Sequence, residues 1–73
     1  MKIYELSTYE SAFDVYPVYY KRYKYKGAAM RNFRLYADSG KYEKINLFVF
    51  DADNYKLLPL ATYNKPLTTI TGE

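Results

Sequence analysis

The fold of this chain is decided by residues 44–63, which read KINLFVFDADNYKLLPLATY. In the first part of this stretch, Ile45, Leu47 and Val49 fall on one face of an extended chain, and Phe48 and Phe50 fall on the other. Because successive side chains of a strand point to opposite faces, this alternation predicts a β-strand over residues 44–50. Apolar side chains on both faces predict a central strand that is covered on both sides.

A turn and a return strand follow. Asp51–Asn54 has the composition of a turn, and Tyr55–Tyr63 is expected to pair with the preceding strand. Pro59 has no backbone N–H to donate, which places this strand at an edge or at a bulge. The turn has some of the spacing of a calcium loop, but Lys56 stands where such a loop needs glycine. No metal site is expected there.

The beginning of the chain predicts a short strand followed by a short helix. Lys2–Leu6 alternates like a strand, and Ser7 stands three residues before Glu10, which is the spacing of a helix capping box. Pro17 disfavours the α conformation in the residue before it, so the helix is expected to end near Val15. The residues that would form the apolar side of this helix are Tyr9, Ala12, Phe13 and Tyr16.

The middle of the chain is consistent with either type of element. Val18–Lys26 alternates and is rich in tyrosine, which favours a strand over the alternative of a helix. The apolar residues of Ala28–Ala37 fit both the two-residue period of a strand and the 3.6-residue period of a helix, and the Ala-Ala-Met start favours a helix. The Asp38–Lys41 segment that follows has the composition of a hairpin turn in which Gly40 takes a positive φ. Because a hairpin turn follows a strand, a strand is the preferred prediction for Ala28–Ala37.

These elements predict an α+β domain with a small antiparallel sheet of about four strands and one or two short helices. A β-meander with a helical cap is the alternative. Residues 1–63 are expected to form a single compact domain. Residues 64–73 are polar and rich in threonine, and they are expected to form a loose C-terminal tail.

Composition argues against catalysis. The 73 residues include no histidine and no cysteine, so imidazole and thiolate chemistry, disulfides and zinc sites built on those side chains are excluded. Gly27, Gly40 and Gly72 lie too far apart in the sequence for a phosphate-binding loop. We therefore expect a protein that is not an enzyme and has no cofactor. Small domains often gain stability by self-association, so a homodimer is a further expectation.

Charge is segregated along the chain. Val15–Ala37 contains six basic residues and no acidic one, whereas the whole chain carries a net charge of +3, so the remainder carries −3. Tyrosines alternate with the cations in the first half of this block. The predicted partner-binding residues are Tyr19, Tyr20, Lys21, Arg22, Tyr23, Lys24, Tyr25, Lys26, Arg31 and Arg34.

Two classes of partner suit this block. Tyrosine and arginine are enriched at the energetic centres of protein interfaces, so a larger host protein or nucleoprotein is the first expectation. Cations neutralise phosphates and aromatic rings stack on unpaired bases, so direct binding of DNA or RNA is the alternative. The same residues could also serve a solvated or core role in a self-assembling structural protein.

The amino-acid usage suggests a source. Eleven tyrosines, together with many lysines, indicate AT-rich codons. In size and composition the chain resembles small phage and mobile-element proteins, including inhibitors of host defence of the anti-CRISPR type. Its first residues lack the apolar core of a signal peptide, and its longest aliphatic or phenyl run is residues 47–50, so no membrane association is expected. We expect a small inhibitor or modulator in the cytoplasm, which is the host cytoplasm for a phage protein.

Overall fold

The computed structural model describes residues 1–65, which form two β-hairpins joined by a helix. The four strands make one antiparallel sheet in the order β2-β1-β3-β4, so β1 and β3 are central and β2 and β4 are edges. The chain is therefore an α+β protein with a small antiparallel sheet, and it is not a meander, because β2 and β3 lie on opposite sides of β1. The elements are β1 (Lys2–Tyr9), β2 (Tyr19–Tyr23), α1 (Lys26–Ser39), β3 (Lys44–Asp51) and β4 (Lys56–Asn64).

The central position predicted for β3 is confirmed. In the pairing of β3 with β1, Leu47 lies opposite Leu6 and Ile45 lies opposite Thr8. Leu6, Ile45 and Leu47 are fully buried together with Ala29 of α1, and these four residues make up the buried apolar core. The alternation of β3 thus supplies half of the core from one strand.

The helix covers only one face of the sheet. Within residues 1–65, α1 is the single helix, and it packs on the face that carries Leu6 and Leu47. Phe48 and Phe50 lie on the opposite face and stay partly exposed. The expectation that both faces of β3 are covered is therefore wrong, because one helix cannot screen two sides of a sheet.

The strand predicted for Ala28–Ala37 is also wrong, because these residues lie within α1. A strand would place Leu35 on the same face as Phe33, but in the helix Leu35 is exposed. The helical stripe gives the longer apolar face, so packing on the sheet selects the helix. The α1 residues that pack in or against the core are Ala29, Met30, Phe33, Tyr36 and Ala37.

Gly40 ends the helix and does not close a hairpin. Its φ of 72° confirms the predicted positive φ, which glycine adopts without steric penalty. The Ser39 hydroxyl donates to the Tyr36 carbonyl at 2.7 Å, and the Lys41 N–H donates to that hydroxyl at 3.3 Å. The composition of Asp38–Lys41 indicated a change of chain direction here. It did not distinguish a hairpin turn from a helix C-cap, because both use the same residue types.

The helix predicted to begin at Ser7 does not form. β1 continues through Ser7 to Tyr9, and residues 10–18 are a loop. In β1, Ser7 is paired with Tyr20 on one side and with Asn46 on the other. A local helix cap contributes about 1 kcal/mol, so pairing with two neighbouring strands outweighs it.

The strand predicted for Val18–Lys26 is shorter in the structure, because β2 holds only five of its nine residues, Tyr19–Tyr23. Lys24 and Tyr25 form the bend into α1, and Lys26 is the first helical residue. Neither strand nor helix occupies the whole segment, since the chain must turn to place α1 over the sheet.

β4 bears out the expectation for Pro59. Leu47 pairs with Ala61 but Phe48 pairs with Pro59, so Leu60 is an extra residue at a bulge in this edge strand. Asn64, the first residue of the predicted tail, is the last residue of β4. The tail prediction for residues 66–73 lies outside the described residues.

A buried hydroxyl in β1 gives a first test of this packing. Thr8 is fully buried, and within residues 1–65 its Oγ1 has no hydrogen-bond partner. Because an unsatisfied buried polar group costs about 1–3 kcal/mol, Thr8→Val is expected to raise the free energy of unfolding by about 1 kcal/mol. Urea denaturation followed by circular dichroism measures it. Thr62→Val, on an exposed position of β4, is the control and should change stability by less than about 0.5 kcal/mol. A destabilised Thr8→Val protein would contradict the packing described.

Candidate functional site

The structure places half of the predicted binding residues on an edge strand. β2 pairs with β1 on one side, and no described strand lies on its other side. An edge strand presents unpaired backbone N–H and C=O groups to a partner. The opposite edge of the sheet, β4, is interrupted by Pro59 and a bulge. β2 is therefore the edge with the less obstructed backbone.

The alternation of β2 divides its side chains between the two faces of the sheet. Tyr19, Lys21 and Tyr23 lie on the face that α1 covers, because Lys21 is paired with Leu6. Tyr20 and Arg22 lie on the open face. The five residues therefore do not form one continuous side-chain surface.

Two of the four tyrosines among the predicted binding residues support the core. Tyr19 and Tyr23 are partly buried and pack against the core cluster. The Tyr19 ring centroid is 5.3 Å from that of Tyr36 in a tilted arrangement. The Lys21 ammonium lies 5.2 Å from the centroid of the Tyr23 ring. For these two tyrosines, packing accounts for the residue type without a partner.

Arg22 is bound to neighbours on the open face. Its Nε lies 3.3 Å from a carboxylate oxygen of Glu5 and donates to the Tyr20 hydroxyl at 3.1 Å. The hydrogen bond to Tyr20 and then the nearby charge of Glu5 hold the pKa of Arg22 above its usual value. Glu5 thus offsets part of the charge that Arg22 would offer to a partner.

The connection between β2 and α1 is the most exposed part of the block. We call Lys24, Tyr25 and Lys26 the basic connection. Tyr25 is 69% exposed, and the Lys24 ammonium lies 5.9 Å from the centroid of its ring. In the described part of the chain, neither lysine lies in a salt bridge. Two free cations therefore flank an exposed aromatic ring.

The start of α1 breaks the usual rules for a helix N-terminus. Tyr25 occupies the N-cap position with φ −114° and ψ 134°, and its side chain makes no capping hydrogen bond. The first turn contains no acidic residue and begins with Lys26. Because the N-terminal end of a helix carries partial positive charge, these lysines add to a region that is already positive.

The two helix arginines are separate from β2. Arg31 and Arg34 are exposed on α1 and take no part in the core. The ten predicted residues therefore divide into core tyrosines (Tyr19 and Tyr23), a pair on the open face (Tyr20 and Arg22), Lys21 beside Tyr23, the basic connection, and the helix arginines.

Sequence reasoning missed an exposed apolar loop. Phe13 and Tyr16 are predicted on the apolar side of a helix, but the structure leaves them 93% and 83% exposed in the loop between β1 and β2. Ser11 and Asp14, both turn-forming residues, and Pro17 are the signals in the sequence that favour a loop there.

Comparison with protein-family models, curated proteins and solved structures finds no match to this chain. Among residues 1–65, no helix combines the length and apolar character that crossing a lipid bilayer requires. The same residues contain no group of three or more side chains placed to hold a metal ion. The exposed aromatic and basic side chains are the features that carry the functional inference.

Proposed function

We propose that this chain is a small non-enzymatic binding protein, encoded by a phage or mobile element, that inhibits or modulates a larger protein or nucleoprotein in the host cytoplasm. The observation that carries the proposal is the exposed basic connection, which follows the free edge strand β2 and begins α1. Tyr20 and Arg22 extend the proposed surface onto the open face of the sheet.

The helix start is poorly suited to stability and well suited to binding. Serine, threonine, aspartate or asparagine at the position of Tyr25 would stabilise the helix by about 1 kcal/mol. Tyr25 instead exposes most of its ring, and Lys26 opposes the helix dipole. Residues that break local rules without a packing role are expected at functional sites. Acidic side chains of a partner would pair with the lysines, and apolar side chains of the same surface would pack on the Tyr25 ring.

A protein partner also has backbone groups to engage. An extended segment of the partner could pair with the free edge of β2, which is a recurring mode of peptide recognition. Acidic side chains on that segment would then lie near Lys21 and Lys24. Because tyrosine supplies a large contact area with few rotatable bonds, Tyr25 would serve as the central anchor of the contact.

Direct binding of nucleic acid is the second candidate, supported by the exposed Tyr25 ring beside Lys24. For this candidate function, fewer cations are expected to contact phosphates than the six in the basic block. Arg22 is bound to Glu5, and Arg31 and Arg34 lie on α1 and not on β2 or in the basic connection. If Lys21, Lys24 and Lys26 alone contacted phosphates of duplex DNA, the slope of log K against log salt would be about −3, compared with about −5 for all six cations.

Photo-crosslinking tests the protein-binding proposal. A photoreactive phenylalanine analogue at position 25, introduced in host cells, is expected to yield a discrete crosslinked protein. The same analogue at position 55 is the control, because Tyr55 is 86% exposed and lies in the turn between β3 and β4. Lys24→Glu with Lys26→Glu should lower the yield at position 25 by at least about tenfold. Lys41→Glu with Lys56→Glu makes the same change in net charge and should not.

Equal crosslinking from positions 25 and 55 would remove the assignment of the surface. Anisotropy titrations with single- and double-stranded oligonucleotides, at about 50 and about 200 mM salt, separate the two candidates. Tight oligonucleotide binding that Lys24→Glu with Lys26→Glu abolishes, together with no crosslinked protein, would favour the nucleic-acid function.

A further inference from the structure

An open apolar cavity lies at the C-terminal end of α1. Its volume is about 380 Å³. A cavity of about 150 Å³ is enough to hold benzene, so this one has room for at least one aromatic ring. Most of its lining surface is contributed by apolar atoms. The cavity is lined by Leu35, Tyr36, Asp38, Ser39, Lys41 and Tyr42.

The loop between β1 and β2 presents side chains of the kind that would fill such a cavity. Phe13 and Tyr16 are almost fully exposed, and Val15 between them is also exposed. Because solvent-exposed clusters of this kind are unfavourable in water, they mark interaction sites in folded proteins. Phe13 does not occupy the cavity of its own chain, since it is 93% exposed.

Hydrogen bonds hold the loop in this arrangement. The Ser11 N–H donates to Asp14 Oδ2 at 3.1 Å, and the Asp14 N–H donates back to the Ser11 carbonyl at 3.1 Å. The Phe13 N–H donates to Ser11 Oγ at 3.3 Å, and the Ala12 N–H donates to Glu43 Oε1 at 3.4 Å. An ordered loop loses little conformational entropy when it binds, which favours association.

The loop and the cavity are neighbours in the fold. Tyr19, which follows the loop, packs on Tyr36 of the cavity wall at 5.3 Å between ring centroids. Tyr36 packs in turn on Tyr42 of the same wall at 5.8 Å. At the start of the loop, the Glu43 N–H donates to the Tyr9 carbonyl at 3.0 Å. The exposed side chains and the cavity therefore share one end of the molecule.

We propose that this chain forms a two-fold symmetric homodimer in which Phe13 and Tyr16 of each copy enter the cavity beside Leu35, Tyr36 and Tyr42 of the other. In a two-fold interface the same patch of both copies must be self-complementary. A projecting apolar loop beside an apolar cavity meets this requirement. The surface is distinct from the basic connection, so the inference does not depend on the proposed function.

Charge favours a second copy over other occupants. Residues 10–20 carry Glu10 and Asp14 and no cation. An acidic loop is repelled by nucleic acid and by anionic lipid, so neither is the expected partner of the loop itself. The cavity rim carries Lys41 as well as Asp38, so Lys41 of one copy can pair with Asp14 of the other.

The size of the contact sets the expected affinity. A buried aromatic side chain covers about 150–250 Å², so Phe13, Tyr16 and their surroundings in two copies would bury roughly 1,000 Å². This is the lower end for specific interfaces, so we expect a dissociation constant in the micromolar range. Four fully buried apolar residues and the absence of cysteine leave a small core that a dimer would extend.

Sedimentation equilibrium from about 1 to about 500 µM, which brackets a micromolar dissociation constant, tests the dimer. The unaltered chain is expected to pass from monomer to dimer over this range. Phe13→Ser and, separately, Leu35→Lys should each weaken dimerisation by at least about tenfold. Both side chains are exposed, so circular dichroism should show folded variants. Tyr55→Asn removes an equally exposed aromatic ring at the other end and should leave the dimer intact.

Mixing the two variants tests the geometry itself. A pair of Phe13→Ser chains lacks both Phe13 rings and keeps only the Tyr16 rings, and a pair of Leu35→Lys chains has both cavities blocked. A mixed pair keeps one intact contact, in which the ring of one variant enters the cavity of the other. The mixture is therefore expected to form more dimer than either variant alone. A monomeric unaltered chain at the highest concentration, or a mixture with no gain in dimer, would overturn the proposal.

Discussion

Replacing Leu47 with alanine is expected to lower the free energy of unfolding by about 3 kcal/mol. Leu47 is fully buried at the centre of β3, where it faces Leu6 on β1 and Ala61 on β4. The substitution removes apolar contacts and leaves a cavity that neighbouring strands, held by their own backbone pairing, cannot close. With four residues in the buried core, no other side chain compensates for the loss.

The effect should approach the whole stability of the domain. A chain of this length is expected to have a free energy of unfolding of only several kcal/mol, so the Leu47→Ala protein should be partly unfolded at room temperature. Urea denaturation followed by circular dichroism measures the change. Leu58→Ala is the matched control, because Leu58 lies on the adjacent strand and is 52% exposed. Its loss should be less than about 1 kcal/mol, and equal losses would show that the core lies elsewhere.

Replacing Tyr25 with aspartate is expected to have opposite effects on stability and on binding. Aspartate at the N-cap can accept a hydrogen bond from the first turn of α1 and interacts favourably with the helix dipole. Stability should rise by about 1 kcal/mol. The same change removes the exposed ring and places a negative charge between Lys24 and Lys26. Affinity for the partner captured by crosslinking should fall by at least about tenfold.

Thermal and urea unfolding measure the first effect, and competition with the unaltered chain for the captured partner measures the second. Tyr55→Asp is the matched control for binding, since it makes the same chemical change at an exposed position away from the helix start. It should not weaken binding, and any gain in stability would come from the positive φ of Tyr55, 52°, which aspartate tolerates better than tyrosine. A Tyr25→Asp protein that is more stable and binds as well as the unaltered chain would show that the basic connection is not the binding surface.

Opposite effects of one substitution on stability and on binding have a general physical basis. Binding residues are exposed and often break the local rules that favour folding, so replacing them can stabilise the fold and impair function. At the helix start of this protein, the proposed binding role and the helix N-cap position fall on one residue, Tyr25. Tyr25 is therefore a sharper probe of the proposed surface than Tyr19 or Tyr23, whose replacement would disturb the core as well.

The amino-acid sequence determined those parts of the fold where the residues are compatible with only one local backbone structure. The alternation of Ile45, Leu47 and Val49 fits only a strand, and Pro59 fits only an edge or a bulge, because its ring lacks the N–H that a central strand must donate. The positive φ of Gly40 also follows from its residue type. The basic, tyrosine-rich block can be recognised from the sequence alone. In the structure, part of it is exposed on an edge strand and at the start of a helix.

The tertiary structure decided the rest, because the remaining segments satisfy two local patterns equally well. Ser7 can cap a helix or continue a strand, and pairing with β2 and β3 selects the strand. Ala28–Ala37 fits both the alternation of a strand and the apolar stripe of a helix. The helix forms because its apolar stripe buries the face of the sheet that carries Leu6 and Leu47. Burial is likewise a property of the assembled molecule. From the sequence alone, a tyrosine or phenylalanine can serve either packing or binding. Only the fold shows that Tyr19 packs against the core while Phe13 and Tyr25 face the solvent.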